Sequence, residues 1–189
     1  MDSSATAFPE FSFAGYRLRR IRPGDIEQVY AGLSHPQVIA HYGVSYPSLA
    51  ATHEQMQWYE QLLADRTGIW WGLADDRDVL IGACGFNDWN HQYQRIEMGY
   101  WLLPHHWQRG LMQQALPHIL RHALTSMGVH RIHLDIEPEN VASWRLAEKL
   151  GFSFEGTLRD VEYKGGRYLS LHQYSLLATD QAARVLLEG

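Results

Sequence analysis

The stretch Glu97-Met-Gly-Tyr-Trp-Leu-Leu-Pro-His-His-Trp-Gln-Arg-Gly-Leu-Met-Gln-Gln-Ala115 changes its periodicity midway, and that change decides the fold. From Arg95 to Leu103 the residues alternate. Ile96, Met98, Tyr100 and Leu102 share one face, and Glu97, Gly99, Trp101 and Leu103 share the other, more polar one, so 95–103 reads as a strand ended by Pro104. From Gly110 to Met127 the spacing is helical, with Leu111, Met112, Ala115, Leu116, Ile119, Leu120, Ala123, Leu124 and Met127 in one broad apolar stripe. Pro117 lies inside that stripe and predicts a local bend. Between strand and helix is a short loop with Gly110 where the helix begins. The first turn of a helix carries unpaired N–H groups and the positive end of the dipole. A glycine there lets an anion approach the backbone, so the turn suits a pyrophosphate. A glycine before a helix is also an ordinary turn residue, and the stretch alone leaves both readings open.

Upstream, Tyr16 to Ile21 reads as a strand. Pro23-Gly24-Asp25 opens a helix with Ile26, Val29, Tyr30 and Leu33 on one side. Thr52 followed by Gln55 predicts a capping box for a second helix bearing Met56, Tyr59, Leu62 and Leu63. Segments 69–74 and 79–86 form a hairpin across Asp75-Asp-Arg-Asp78. Trp70 and Trp71 cannot both point inward from a regular strand, which leaves one of them for the acceptor groove or a subunit interface. Downstream, Arg131 to Ile136 alternates as a strand, and Asn140 caps a short helix that ends at Gly151. Segments 152–163 and 168–177 are two last strands joined across Lys164-Gly165-Gly166. The order β-α-α-β-β-β-α-β-α-β-β gives an α+β layer rather than a doubly wound sheet.

The 189 residues carry no repeat, low-complexity tract or linker, so one domain spanning 1–189 is expected, with 1–11 as a flexible tail. That N-terminal stretch has neither a basic residue nor an apolar run, unlike a secretory signal. No apolar run is long enough to span a bilayer, and a net charge of −5 argues against a nucleic-acid footprint, so neither membrane nor nucleic-acid partners are expected. A cytoplasmic chain, monomer or homodimer, is the resulting expectation. The single cysteine, Cys84, sits in an apolar run and reads as a small core residue. His118 and His122 are one helical turn apart, but they have no third ligand at a familiar spacing. They read as solvent-exposed helix histidines, and no metal is expected.

Several motifs in this order resemble the GCN5-related N-acetyltransferase (GNAT) family. Trp107-Gln-Arg-Gly-Leu-Met112 is similar to the family's Gln/Arg-x-x-Gly-x-Gly/Ala coenzyme A loop. Asn140-Val-Ala-Ser143 followed by Glu148-Lys-Leu-Gly-Phe152 is similar to its second signature. Together with Glu-x-Gly-Tyr-Trp and Gly166-Arg-Tyr…Tyr174-Ser-Leu-Leu177, the pattern resembles the branch that acetylates ribosomal-protein N-termini (RimJ/RimL-like). Three positions depart from that pattern: Trp107 at the start of the loop, Met112 at its end, and Ser170 where relatives often carry Asp.

The resemblance implies a GNAT fold, a mixed, mostly antiparallel sheet flanked by helices and splayed at an acetyl-CoA site. It implies that backbone groups near Trp101, Leu102 and Leu103 meet the pantetheine arm. It places the pyrophosphate on Gln108, Arg109, Gly110, Leu111, Met112 and Gln113, and gives Asn140 either a pantetheine contact or a plain capping role. Acetyl transfer to an amine needs a base for the ammonium, a donor for the oxyanion and a proton for the thiolate. Glu97, on the polar face beside the loop, and Glu162, which matches a proposed base of the branch, are the candidate bases. Ser143, placed near the sulfur by the resemblance, is the candidate acid, and the N–H of Leu102 or Leu103 the oxyanion donor. The implied acceptor is a protein or peptide N-terminal α-amine. A small amine, polyamine or aminoglycoside acceptor, or a catalytically weak acyl-CoA-binding module, are the alternatives.

Overall fold

A computed structural model describes residues 7–188. One eight-stranded sheet runs through it in the order β1-β2-β3-β4-β5-β6-β8-β7. The strands are β1 Phe11–Phe13, β2 Tyr16–Arg20, β3 Ile69–Ala74, β4 Leu80–Asn90, β5 Arg95–Leu102, β6 Arg131–Ile136, β7 Ser153–Lys164 and β8 Arg167–Leu177. The helices are α1 Ile26–Leu33, α2 Pro36–Ile39, α3 Leu49–Ala64, α4 Leu111–Thr125, α5 Val141–Lys149 and α6 Gln181–Glu188. All strand pairs are antiparallel except β5–β6. Among the described residues no helix is long and apolar enough to cross a membrane.

Both faces of the first half of the sheet are covered. On one, Trp70, Leu80, Ala83 and Trp101 pack under Val29 and Leu33 of α1 and Tyr59 and Leu62 of α3. On the other, Leu18, Trp71, Leu73, Phe86, Ile96 and Met98 pack under Leu116, Ile119, Leu120 and Ala123 of α4. Two covered faces explain why Trp70 and Trp71 are both buried, contrary to the expectation that one would face a groove or interface. Cys84 is fully buried in the second layer, as expected, and burial pushes its thiol pKa up.

Four further sequence expectations change. Phe8 and Phe11 pack on Trp71, and the Trp71 indole donates to the Pro9 carbonyl at 2.7 Å, so 7–11 is part of the fold. Residues 1–6 of the expected tail lie outside the described ones. The same segment covers His118 and His122: Phe11 and Phe13 stack on His118, and the His122 edge meets Phe11. These histidines are half-buried rather than exposed, and burial lowers both pKa values. α3 starts a turn earlier than the expected capping box, because Ser48 Oγ accepts the Ala51 amide at 3.1 Å. Thr52 and Gln55 are then inside the helix and buried, with Gln55 accepting the Tyr46 hydroxyl at 2.9 Å. Finally, β1, α2 and α6 are elements that the periodicities had not marked, while 111–125 is one helix with Pro117 inside it.

A buried cation fastens the first half together. Arg19 on β2 makes a two-pronged bond to Asp25 before α1, at 2.8 and 2.9 Å, and a third to Asp78 in the β3–β4 turn at 2.7 Å. The β7–β8 hairpin turns through Gly165-Gly166, both with positive φ, as a tight two-residue turn requires. Next to it, Lys164 Nζ donates to the carbonyls of Ile39 and Tyr42 at 2.8 and 2.9 Å, tying the hairpin to the chain beyond α2.

Candidate functional site

The parallel pair β5–β6 is where the sheet opens. The two strands pair only at Arg95↔Arg131, Ile96↔Ile132 and Glu97↔His133. Beyond Glu97, β5 stays paired to β4 as far as Gly82↔Leu102, while β6 follows β8. The Leu103 amide donates to Ile81 O at 2.9 Å. In an antiparallel ladder, neighbouring residues point their peptide groups to opposite sides. Leu103 and Trp101 therefore face β4, and Met98, Tyr100 and Leu102 face the gap. Of the two oxyanion donors expected, the Leu103 amide is already engaged and the Leu102 amide faces the opening. The Leu102 carbonyl accepts the Trp107 indole at 2.7 Å, so the unexpected tryptophan of the loop ties that loop to the strand.

The loop ends at a helix N-terminus with several free amides. Gln108 and Gly110 both have left-handed backbones, φ 61 and 68°, on either side of Arg109. Gln114 N–H is the first to find an acceptor in the turn, Gly110 O at 3.1 Å. The amides of Leu111, Met112 and Gln113 have no backbone acceptor among the described residues. Free amides at the positive end of a fifteen-residue helix suit an anionic group. The side chains of Leu111 and Met112 are buried and anchor the turn, whereas Gln108, Arg109 and Gln113 are exposed. Among the described residues the Arg109 side chain has one hydrogen-bond partner, His106, at 3.3 Å.

Glu97 and Ser143 flank the gap from opposite faces of the sheet. Glu97 shares its face with Gly99 and Trp101, as alternation grouped them, and this is the face under α1 and α3. Trp70 lies over Gly99, where an added Cβ would come within 2.9 Å of its ring. Glu97 is half-buried, and its pKa rises from an ordinary 4.5 to about 7. Burial is the main cause, followed by the negative charges of Asp135, Asp88 and Glu162. A carboxyl poised there can take up a proton near neutral pH.

On the other face, Asn140 caps α5 by accepting the Ser143 amide on its side chain at 3.3 Å. The Ser143 hydroxyl in this first turn lies 2.6 Å from the Tyr100 phenol oxygen, and burial pushes the phenol pKa up to about 12. Tyr100 escaped the sequence analysis, although alternation places it opposite Glu97 within Glu-x-Gly-Tyr-Trp.

Glu162 is on exposed β7, opposite Leu169, where the β7–β8 register shifts between Leu158 and Glu162. Its charge reaches Glu97, but it does not share the covered floor. Ser170 has a structural task here: its Oγ accepts the amide of Asp160, which has φ 53° in that bulge. Asp88 and Asp135, which surround Glu97, come from β4 and β6 and were not foreseen. Among the described residues, no group of three or more His, Cys, Asp or Glu side chains is arranged to hold a metal ion.

A sheet opened at one parallel pair, with a helix N-terminus at its mouth, can hold an extended group that ends in an anion, as coenzyme A does. Comparison with known proteins agrees. The family model described as an acetyltransferase (GNAT) domain matches residues 16–153. The uncharacterized N-acetyltransferase YoaA of Bacillus subtilis is 31% identical over 162 residues, covering 85% of this chain and 92% of that protein. The ribosomal-protein-serine acetyltransferase of Escherichia coli is 30% identical over 104 residues, 55% of this chain and 58% of its own. The solved spermidine N-acetyltransferase of Vibrio cholerae, in complex with CoA and spermine, superposes with a TM-score of 0.77 at 22% identity, covering 87% of this chain and 96% of that one. The chain belongs to the GNAT acetyltransferase family. It is an acetyl-CoA-dependent N-acetyltransferase.

Proposed function

We propose that this acetyltransferase modifies the N-terminal α-amine of a protein or peptide, with Glu97 as general base and Ser143 as the proton donor to the leaving thiolate. The observation that carries the reading is the placement of these two groups on opposite faces of one gap. A thioester lying in the gap then receives the amine from the α1/α3 side and releases sulfur toward α5. The gap-facing peptide groups of Met98 and Tyr100 fit a pantetheine arm added like a strand. The Leu102 amide is the oxyanion donor, and the free amides of 111–113, with Gln108, Arg109 and Gly110, take the pyrophosphate. Glu97 receives the ammonium proton, and burial, followed by the charges of Asp135, Asp88 and Glu162, raises its pKa to about 7. Glu162 therefore acts through its charge rather than as the base.

The choice of a peptide acceptor draws on β7. It is exposed along nearly its whole length, with Val161 and Tyr163 in water on either side of Glu162, and it leaves room for an extended chain. The ribosomal-protein-serine acetyltransferase of E. coli supports the same choice. A polyamine acceptor is the second reading. The carboxylates of Glu97, Asp88, Asp135 and Glu162 favour a polycation, and the spermidine acetyltransferase of V. cholerae supports it.

Thiol release from acetyl-CoA, measured with short peptides bearing free N-termini and with spermidine and spermine, separates the two. Higher kcat/KM on peptides is expected. Higher kcat/KM on polyamines replaces the first reading with the second. Acetyl-CoA binding without turnover on any amine removes both.

A further inference from the structure

The Ser143 hydroxyl has one hydrogen-bond partner among the described residues, the Tyr100 phenol at 2.6 Å. The same phenol oxygen lies 3.4 Å from the Ser143 carbonyl, so the ring is steered onto this one residue. The contact spans the opening: Tyr100 belongs to β5, and Ser143 belongs to α5, which packs on β6 and β7. In the reaction proposed above, a serine acting alone would have to become an alkoxide in order to protonate a thiolate. The conjugate acid of that thiolate is an ordinary thiol with a pKa of about 8.5. An aliphatic alcohol is a far weaker acid than a phenol, so that step is steeply uphill. Two hydroxyls in series lower the cost.

We propose that Tyr100 is a positioning residue that donates its phenolic hydrogen bond to Ser143 Oγ, turns the serine proton toward the leaving sulfur and replaces that proton as it departs. The inference rests on the reading of Ser143 as the proton donor. The sulfur gains an S–H bond as the serine O–H breaks, and serine regains an O–H as the phenol O–H breaks. The negative charge ends on the phenolate, which solvent reprotonates before the next turnover. The phenol is the better donor of the two hydroxyls, which sets the direction of the bond. Burial keeps the phenol neutral before the reaction, with a pKa of about 12. The phenolate left behind is still a much weaker base than an alkoxide.

The test compares the wild-type chain with Tyr100→Phe, Ser143→Ala and the double variant. It uses thiol release at saturating acetyl-CoA with the best acceptor amine, repeated in mixtures of light and heavy water. Tyr100→Phe is expected to lower kcat by about 10- to 100-fold, toward the lower end of what acid catalysis supplies, at unchanged KM for acetyl-CoA. The double variant should be no slower than Ser143→Ala, because groups that act as one unit are not additive. Wild-type kcat should fall along a curve with deuterium content, as two moving protons require, and Tyr100→Phe along a straight line. Multiplicative losses in the double variant, or the same dependence on deuterium in both proteins, overturn the relay. So does a Tyr100→Phe variant that turns over like the wild type.

If Tyr100→Phe does not fold, 3-fluorotyrosine at position 100 preserves the shape and makes the phenol more acidic. The relay then expects kcat to be kept or raised, and a loss overturns it. A wild-type chain that releases no thiol with any amine removes the proposed function, and the relay with it. Wild-type turnover with additive losses removes the relay alone.

Discussion

On the β2–β5 side of the gap, strands are covered on both faces; on the other side, β7 lies in water along almost its whole length. Each half offers one candidate carboxylate, Glu97 on the covered side and Glu162 on the bare one. The difference shows how one fold gives two candidate glutamates different surroundings. Removal from water and the nearby charges of Asp135 and Asp88 raise the pKa of Glu97 to about 7. On the bare side Glu162 stays in water, and what it contributes is a charge that Glu97 feels.

The largest test of this contrast is Glu97→Gln, expected to lower kcat/KM by about 10²- to 10⁴-fold, the range for a lost general base. Glu162→Gln should cost much less, and a reversed ranking in steady-state assays would move the base to the bare side. Glu97→Gln also carries a stability signature. The folded protein holds the Glu97 proton up to a pH of about 7, whereas the unfolded chain releases it near 4.5. Between those values the native state binds more protons, so stability falls as pH rises through the window. Glu97→Gln should flatten that fall in denaturant melts at pH 5 and pH 8. An unchanged difference between the two would mean that the carboxyl is not taken out of water.

Next in size is Arg19→Ala, which strands Asp25 without its cation. Asp25 is buried, and breaking such a pair costs about 3–5 kcal/mol. Urea unfolding should register the loss, and a cost under about 1 kcal/mol, the value of an exposed ion pair, would show that the covered side is less dry than its packing implies. A smaller effect is expected from Asp135→Asn. Removing this negative charge eases ionisation of Glu97 and moves the acid limb of the pH–rate profile to lower pH. Glu162→Gln should move it the same way by less, since Glu162 is the weaker influence. A shift to higher pH in either variant contradicts the repulsion. The smallest effect belongs to Val161→Thr on β7, a side chain 45% exposed. Its stability should stay within about 0.5 kcal/mol of wild type. A larger loss would mean that the bare side is covered in solution.

What the sequence revealed of this contrast follows from what periodicity can carry. The strand–loop–helix at 95–127, the strand at 131–136 and the capped helix after Asn140 were legible because each repeats its pattern over several residues. β1 has three residues and α2 four, too few to repeat anything. With β1 unseen, the cover over His118 and His122 was unseen as well. Alternation also cannot say whether a strand's second face is roofed. For that reason the burial of Trp70 alongside Trp71, and of Arg19 and half of Glu97, was out of reach. At the site, the loop glycine and Ser143 announced themselves through local spacing. Asp88 and Asp135 act on Glu97 from other strands and leave no mark within any one segment.

The burial of Cys84 has a practical side. It is the only cysteine in the chain, and it lies fully enclosed between β3 and β5 under α4. A disulfide dye that colours on meeting free thiol should therefore ignore the folded enzyme and count only the coenzyme A it liberates. The same dye, with denaturant added and no substrate, becomes a gauge of opening: one equivalent of colour for each molecule whose core has come apart.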